Sequence, residues 1–62
     1  MASASTVTAD SLKAGDKLVD TGSESGYVIV RMIDVSSRHV RVTTDAWVRT
    51  YDRGSAVTRL DD

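Results

Sequence analysis

The sequence contains no cysteine, no proline and no phenylalanine, and the first of these absences excludes whole classes of site. Without cysteine there is neither a disulfide nor a cysteine-ligated zinc ion to staple a small fold. The single histidine, His39, holds a metal only if several carboxylates converge on it. The sequence therefore predicts no metal site and no cofactor.

Long apolar runs are also missing, and none approaches the ~18 residues of a membrane-spanning helix. Residues 1–7 lack the basic start and the apolar stretch of a secretory signal peptide. These two absences predict a cytoplasmic protein that has no membrane partner.

The chain has 62 residues, which is room for a single domain. A domain of this size buries only about 60% of the surface that its unfolded chain exposes, so its core is small. Since no disulfide supports it, the fold depends on good packing or on self-association, and a homodimer or a higher oligomer is one hypothesis. The formal net charge of −1 gives no overall attraction to nucleic acid or to anionic lipid.

The charges are unevenly distributed along the chain. Between residues 31 and 59 there are six Arg, no Lys and three Asp. Arg favours planar, bidentate or stacked contacts over diffuse charge, so this half of the chain is the better candidate for a binding surface. The alternative is that these Arg side chains only cover outward positions of strands.

Alternating apolar and polar residues predict an all-β fold. The strongest strand signals are Tyr27–Val35 and His39–Thr44, with weaker ones at Lys17–Asp20, Trp47–Tyr51 and 56–60. Five short strands separated by turn residues favour a barrel at this length. We therefore predict a single small five-stranded barrel over residues 7–62, preceded by a flexible, disordered tail over residues 1–6.

The phase of the alternation predicts which side chains form the core. Val40 and Val42 point inward, whereas the buried face of the preceding strand switches near Met32–Ile33, which indicates a β-bulge. Before the switch the inward side chains include Met32, and after it they are Ile33 and Val35. Gly54 is expected to supply a positive φ in the turn after residue 51.

The segment Leu12–Val19 resembles the opening of many SH3-like barrels, where a leucine, a glycine-aspartate pair and a hydrophobic residue precede the first strand. The ending Tyr51–Leu60 is similar to the ends of short uncharacterised proteins from actinobacteria and their phages. The resemblance implies an SH3-like barrel that acts as a binding module, in the host cytoplasm if a phage encodes it. With three aromatic residues in total, the chain departs from peptide-binding SH3 domains, which carry an aromatic cluster and an acidic loop.

No catalytic constellation is visible in the sequence. His39 occupies an outward position of an alternating strand, and the neighbouring Ser36 and Ser37 belong to a turn. Asp16 and Asp20 would require a pocket that a chain of this length hardly encloses. We predict neither an enzyme nor a small-molecule substrate.

The most informative segment is Trp47–Tyr51, where two of the three aromatic residues flank Arg49. If Val48 points into the core, then Trp47, Arg49 and Tyr51 form an exposed platform. If the aromatic pair instead packs on the core or at its rim, Arg49 has to extend to the rim on the same face. The sequence leaves both arrangements open.

The function predicted from these patterns is a non-enzymatic module that binds a protein partner, another copy of itself included. The alternative is a small nucleic-acid-binding domain that uses a strand face of arginine and aromatic residues. Both hypotheses draw on the same candidate binding residues: Arg38, His39, Arg41, Trp47, Arg49, Tyr51 and Arg53.

Overall fold

The computed structural model describes residues 3–61, which form six β-strands and one short 3₁₀ helix at Ala9–Ser11. The strands are β1 (Ser3–Thr8), β2 (Lys17–Val19), β3 (Tyr27–Val35), β4 (His39–Thr44), β5 (Val48–Asp52) and β6 (Ala56–Asp61). The bounds of β3 and β4 are those predicted from the alternation, and the all-β prediction is confirmed. Within residues 3–61, no helix has the length and apolar character needed to cross a membrane.

The strands form one open antiparallel sheet in the order β1-β6-β2-β3-β4-β5. The predicted closed barrel of five strands is therefore not observed, because the sheet has six strands and two free edges, β1 and β5. The final strand, β6, runs without interruption from Ala56 to Asp61 and lies between β1 and β2 in the sheet.

Residues 3–6 of the additional strand β1 occupy a segment for which the sequence predicts a disordered tail, whereas Val7 and Thr8 lie inside the predicted domain. Ser3–Thr8 pairs with β6 along its whole length, and Val7 lies directly opposite Val57. The hydroxyl of Ser5 donates a hydrogen bond to the carboxylate of Asp61. The small polar side chains of β1 gave no local strand signal, so its order comes from the backbone ladder that β6 offers. Residues 1, 2 and 62 lie outside the described part of the chain, and with them part of the predicted tail.

A β-bulge divides β3 into two halves, because its register with β4 shifts between Val30 and Met32. Val28 and Val30 are buried before the bulge, and Ile33 packs against the core after it. The predicted switch of face is thus present but comes one residue earlier than expected. Met32 consequently points outward and is 59% exposed, which corrects its predicted inward position.

Small aliphatic side chains make up the buried core. Val28, Val30, Val40 and Val42 are fully buried, and Ala9, Leu12 and Leu18 complete the cluster. The inward positions predicted for Val40 and Val42 are confirmed, whereas Val35 lies at the end of the hairpin and is exposed. No aromatic side chain belongs to the buried cluster, and Trp47 and Tyr51 pack against it from outside.

Two glycines supply the dihedral angles that the turns require. Gly15 has φ of 97° in the turn that leads into β2, and Gly26 has φ of 84° before β3. Gly54 lies in the turn between β5 and β6 without a positive φ, so the prediction for this glycine is wrong. That turn is closed instead by the backbone N–H of Ser55, which donates to the carbonyl of Asp52 over 3.0 Å.

Candidate functional site: a groove beside strand β5

The inner face of β5 carries the aromatic residues and Arg49. Tyr51 lies opposite Val40, and Arg49 lies opposite Val42, in the register between β4 and β5. Because directly paired residues of adjacent strands point to the same face, Arg49 and Tyr51 point to the core side. Val48 points to the other face and is 58% exposed.

The structure therefore places the aromatic pair at the rim of the core. Trp47 and Tyr51 are half-buried and pack against the valine cluster, and Arg49 extends past them to solvent. This is the second of the two arrangements that the sequence left open, and Arg49 shares the face of the aromatic pair as that arrangement requires.

A groove of about 260 Å³ runs between the inner face of β5 and the two strands that it faces, β2 and β6. One wall is formed by β5, and the other consists of apolar or small residues from β2 and β6. The lining residues are Leu18, Val19, Trp47, Arg49, Tyr51, Ala56, Val57 and Thr58. We refer to this feature as the β5 groove.

A polar cluster holds one end of the β5 groove. The indole Nε1 of Trp47 donates a hydrogen bond to the carboxylate of Asp20 over 2.8 Å. The guanidinium of Arg49 lies over the Trp47 ring, 4.1 Å from the ring centroid, in the geometry of a cation–π contact. Together these contacts join the loop after β2 to β5 and fix the orientation of the indole.

The same cluster perturbs the acid–base behaviour of Asp20. The hydrogen bond from Trp47 is the main cause that lowers the pKa of this carboxyl below its ordinary value of 3.8. The backbone N–H of Gly22 and the positive charge of Arg49 lower this pKa further. Asp20 is therefore ionised at neutral pH and partly balances the charge of Arg49.

Thr44 sets the start of β5, one residue later than predicted. Its buried hydroxyl accepts hydrogen bonds from the backbone N–H groups of Ala46 and Trp47 and donates to the carbonyl of Trp47. The backbone N–H of Thr44 also donates to that carbonyl, over 2.8 Å. These bonds close the two-residue turn at 45–46 and direct the indole to the core side.

The free edge of β5 offers backbone groups at every second residue. At one end of the β4–β5 ladder Thr44 and Trp47 form a hydrogen-bonded pair, and at the other end the N–H of Arg53 donates to the carbonyl of Arg38. Between these ends, hydrogen-bonded pairs alternate with pairs that make no backbone hydrogen bond to each other. In an antiparallel ladder the residues between hydrogen-bonded pairs direct their N–H and C=O groups away from the partner strand. These residues are Val48, Thr50 and Asp52. The backbone groups of Val48 and Thr50 therefore point outward from the sheet edge, and the carbonyl of Asp52 accepts from the N–H of Ser55.

Two other predicted binding residues lie on the opposite, outer face of the sheet. His39 is directly opposite Asp52, with 3.7 Å between Nε2 and Oδ1. Arg41 is opposite Thr50 and forms an ion pair with Asp34 at 3.6 Å. Both are exposed, and neither contributes to the β5 groove.

The remaining two lie together at one end of the sheet. Arg53 donates a backbone hydrogen bond to Arg38, and its guanidinium is 3.6 Å from the carboxylate of Asp10. The predicted set is therefore divided among three places, and only Trp47, Arg49 and Tyr51 come together in one site.

Two features of this site have no direct signal in the sequence. Asp20 lies 27 residues before Trp47, and nothing in a single acidic residue after a strand indicates the indole that it binds. Val19 and the first residues of β6 line the groove only because β6 returns beside β2. The apolar side chain of Val57 in the predicted last strand is the available signal for the opposite wall.

Comparisons of this chain with protein-family models, with curated proteins and with solved structures found no match.

Proposed function

We propose that this chain is a non-enzymatic binding module that engages a protein partner through the β5 groove. One observation carries the proposal: Trp47 and Tyr51 are half-buried and Arg49 is exposed along a groove, whereas Val40 and Val42, the partners of Tyr51 and Arg49 across the sheet, are fully buried. Tryptophan, tyrosine and arginine are the residues that dominate the energetics of protein interfaces. The indole is already held in place by its hydrogen bond to Asp20, and the guanidinium of Arg49 lies over the indole ring.

The dimensions and chemistry of the groove also favour a protein ligand. At about 260 Å³ it is smaller than the ~300–1,000 Å³ of most small-molecule sites, but it accommodates individual side chains. Its lining includes no histidine, cysteine or carboxylate that would act as a nucleophile or a general base, and the Asp20 carboxylate at one end is engaged by the indole N–H of Trp47.

Nucleic-acid binding is the weaker alternative. Arg49 is the one cation in the groove lining, and Arg41 and Arg53 are each paired with an aspartate. Nonspecific binding to DNA requires several phosphate contacts, and each of these pairs would have to open to supply one. A protein surface, which needs only one well-placed arginine, fits this arrangement better.

The SH3-like arrangement remains part of the proposal. Strands β2 to β5 follow one another in the sheet, β6 returns beside β2, and the bulged β3 is shared by both halves. We assign these five strands to an SH3-like core, with β1 as an addition to the edge of β6. The edge at β1 contains no charged residue, so it is the candidate surface for self-association.

The test is affinity capture from the lysate of the source organism, with and without nuclease, using the wild type and two charge-reversed variants. Arg49→Glu reverses the charge in the groove, and Arg41→Glu makes the same change on the outer face of the neighbouring strand. We expect a nuclease-resistant partner that the wild type and Arg41→Glu retain and Arg49→Glu loses. A partner that nuclease removes would favour the nucleic-acid alternative, and equal retention by both variants would exclude the groove.

A further inference from the structure

We propose that the partner contributes an extended segment that pairs with the free edge of β5 and has an acidic side chain between two apolar ones, in the pattern apolar-x-acidic-x-apolar. This inference rests on the proposed function and adds to it the chemistry of the ligand. It is derived from the edge backbone, the side chains of the inner face and the charge of the β4–β5 hairpin.

The edge of β5 is ready to accept a strand. β5 is the last strand of the sheet, and the backbone groups of Val48 and Thr50 point away from β4. An extended peptide satisfies such groups by continuing the ladder, which is how β-strand addition provides affinity. β5 has no proline, lysine or bulge that would block such pairing, and its inward-pointing charge, Arg49, is one that an acidic side chain of the ligand would neutralise.

The inner face of β5 determines the side-chain pattern of the ligand. Side chains of an added strand alternate between the two faces, so every second one lies beside Trp47, Arg49 or Tyr51. The central position faces the guanidinium of Arg49 and favours Asp or Glu. The two flanking positions face the half-buried rings of Trp47 and Tyr51 and favour apolar side chains. Because this pattern is symmetric, it holds for either direction of the peptide.

The charge of the hairpin supports an acidic ligand. Residues 38–53 contain four Arg and two Asp, whereas the rest of the chain contains four basic and seven acidic residues. The hairpin is thus the basic part of an otherwise acidic chain. Because Arg41 and Arg53 are paired with Asp34 and Asp10, the positive charge that an added strand meets on the inner face of β5 is that of Arg49. Electrostatic attraction of this kind steers an acidic segment to β5 and suppresses basic ones.

A second copy of this chain does not supply the segment. No acidic residue in the sequence has a large apolar residue two positions before it and another two positions after it. The nearest approach is Asp16, which has Ala14 before it and Leu18 after it, and Leu18 is buried in the core. The ligand is therefore expected in a different protein.

The probe is an acetylated and amidated nine-residue peptide with Val-Thr-Glu-Thr-Val at its centre and threonine at the flanks. Trp47 is the only tryptophan of the chain, so its fluorescence reports occupation of the groove directly. The comparison peptide replaces the central glutamate with lysine and is otherwise identical. We expect saturable binding of the glutamate peptide and at least tenfold weaker binding of the lysine peptide.

Two pairs of variants test the two parts of the inference. Arg49→Glu should reverse the preference between the peptides, and Arg41→Glu should leave it unchanged. Thr50→Pro removes an edge N–H that makes no bond to β4, so we expect a folded protein that loses the peptide at least tenfold, while Thr50→Ala retains it. Circular dichroism and thermal melting confirm that each variant is folded before its affinity is compared.

Equal affinity for the two peptides, or no saturable change of fluorescence, would overturn the inference. So would undiminished binding to a folded Thr50→Pro variant. These failures are distinct from a failure of the proposed function. Suppose that the protein captures a partner in an Arg49-dependent manner and that the glutamate peptide does not displace this partner. The protein-binding function then stands, and strand addition is excluded. Displacement of that partner by the glutamate peptide, and not by the lysine peptide, supports both.

Discussion

Strands β4 and β5 are neighbours in the same sheet, yet their inner faces differ completely. Val40 and Val42 of β4 are fully buried, whereas their direct partners Tyr51 and Arg49 of β5 remain half-buried and exposed, respectively. The inner face is closed by packing as far as β4 and is left open at β5. The change from small aliphatic side chains to aromatic and cationic ones at this boundary supports the proposal that β5 contributes to recognition more than to the core.

Substitution on the closed side of this boundary should have the largest effect on stability. Val42→Ala removes two buried carbons and leaves a cavity, so we expect the free energy of unfolding to fall by about 2–3 kcal/mol. Arg49→Ala, directly opposite, loses only a partly exposed contact with Trp47 and should cost about 0.5–1 kcal/mol. Urea denaturation of both variants measures the contrast, and equal losses would contradict the division between the two strands.

Loss of the Asp20 hydrogen bond should change the acid–base behaviour of the groove more than its fold. Trp47→Phe keeps an aromatic ring under Arg49 but removes the indole N–H that is the main cause of the lowered pKa of Asp20. We therefore expect the pKa of Asp20 to rise toward 3.8, as measured by carboxyl-carbon NMR titration. An unchanged pKa in the variant would show that the indole does not hold this carboxylate.

The same shift makes stability depend on pH at the acidic end. The pKa of Asp20 is lower in the folded chain than in the unfolded chain. The stability that the ionised carboxylate of Asp20 adds to the fold is therefore fully present above its ordinary pKa and is lost as the pH falls through the pKa of the folded chain. Asp61, whose pKa the Ser5 hydroxyl and Arg59 lower, acts in the same direction. We expect Asp20→Asn to flatten the loss of stability below about pH 4, and an Asp61→Asn control to flatten it independently.

The smallest effect is expected on the outer face. Arg41 and Asp34 form an ion pair in which both side chains are more than 60% exposed. Such pairs contribute at most about 1 kcal/mol, and Arg41→Gln should change the free energy of unfolding by less than about 0.5 kcal/mol. A larger loss would mean that the outer face also contributes to the integrity of the β4–β5 hairpin.

The parts of the fold that were predictable from the sequence are those governed by local alternation. Strands β3 and β4 have the expected bounds, and the bulge follows from the change of phase after Val30. β1 was missed because its small polar residues form a strand only when β6 supplies a partner 58 residues away, at the Ser3–Asp61 pair.

The candidate site was predictable in part for the same reason. Alternation reduced Trp47–Tyr51 to two arrangements, since Val48 and the aromatic pair have to lie on opposite faces. The choice between them depends on tertiary contacts, namely the bond from Trp47 to Asp20 and the wall formed by β2 and β6. No local pattern encodes contacts of this range.

The most direct test of this account is a two-dimensional ¹H–¹⁵N NMR titration of the wild-type protein with the glutamate peptide. We expect the largest chemical-shift changes at the backbone amides of Val48 and Thr50 and at the indole N–H of Trp47, with His39 and Arg41 nearly unchanged. Changes concentrated at β1 or on the outer face of β4 would contradict the assignment of β5 as the binding edge.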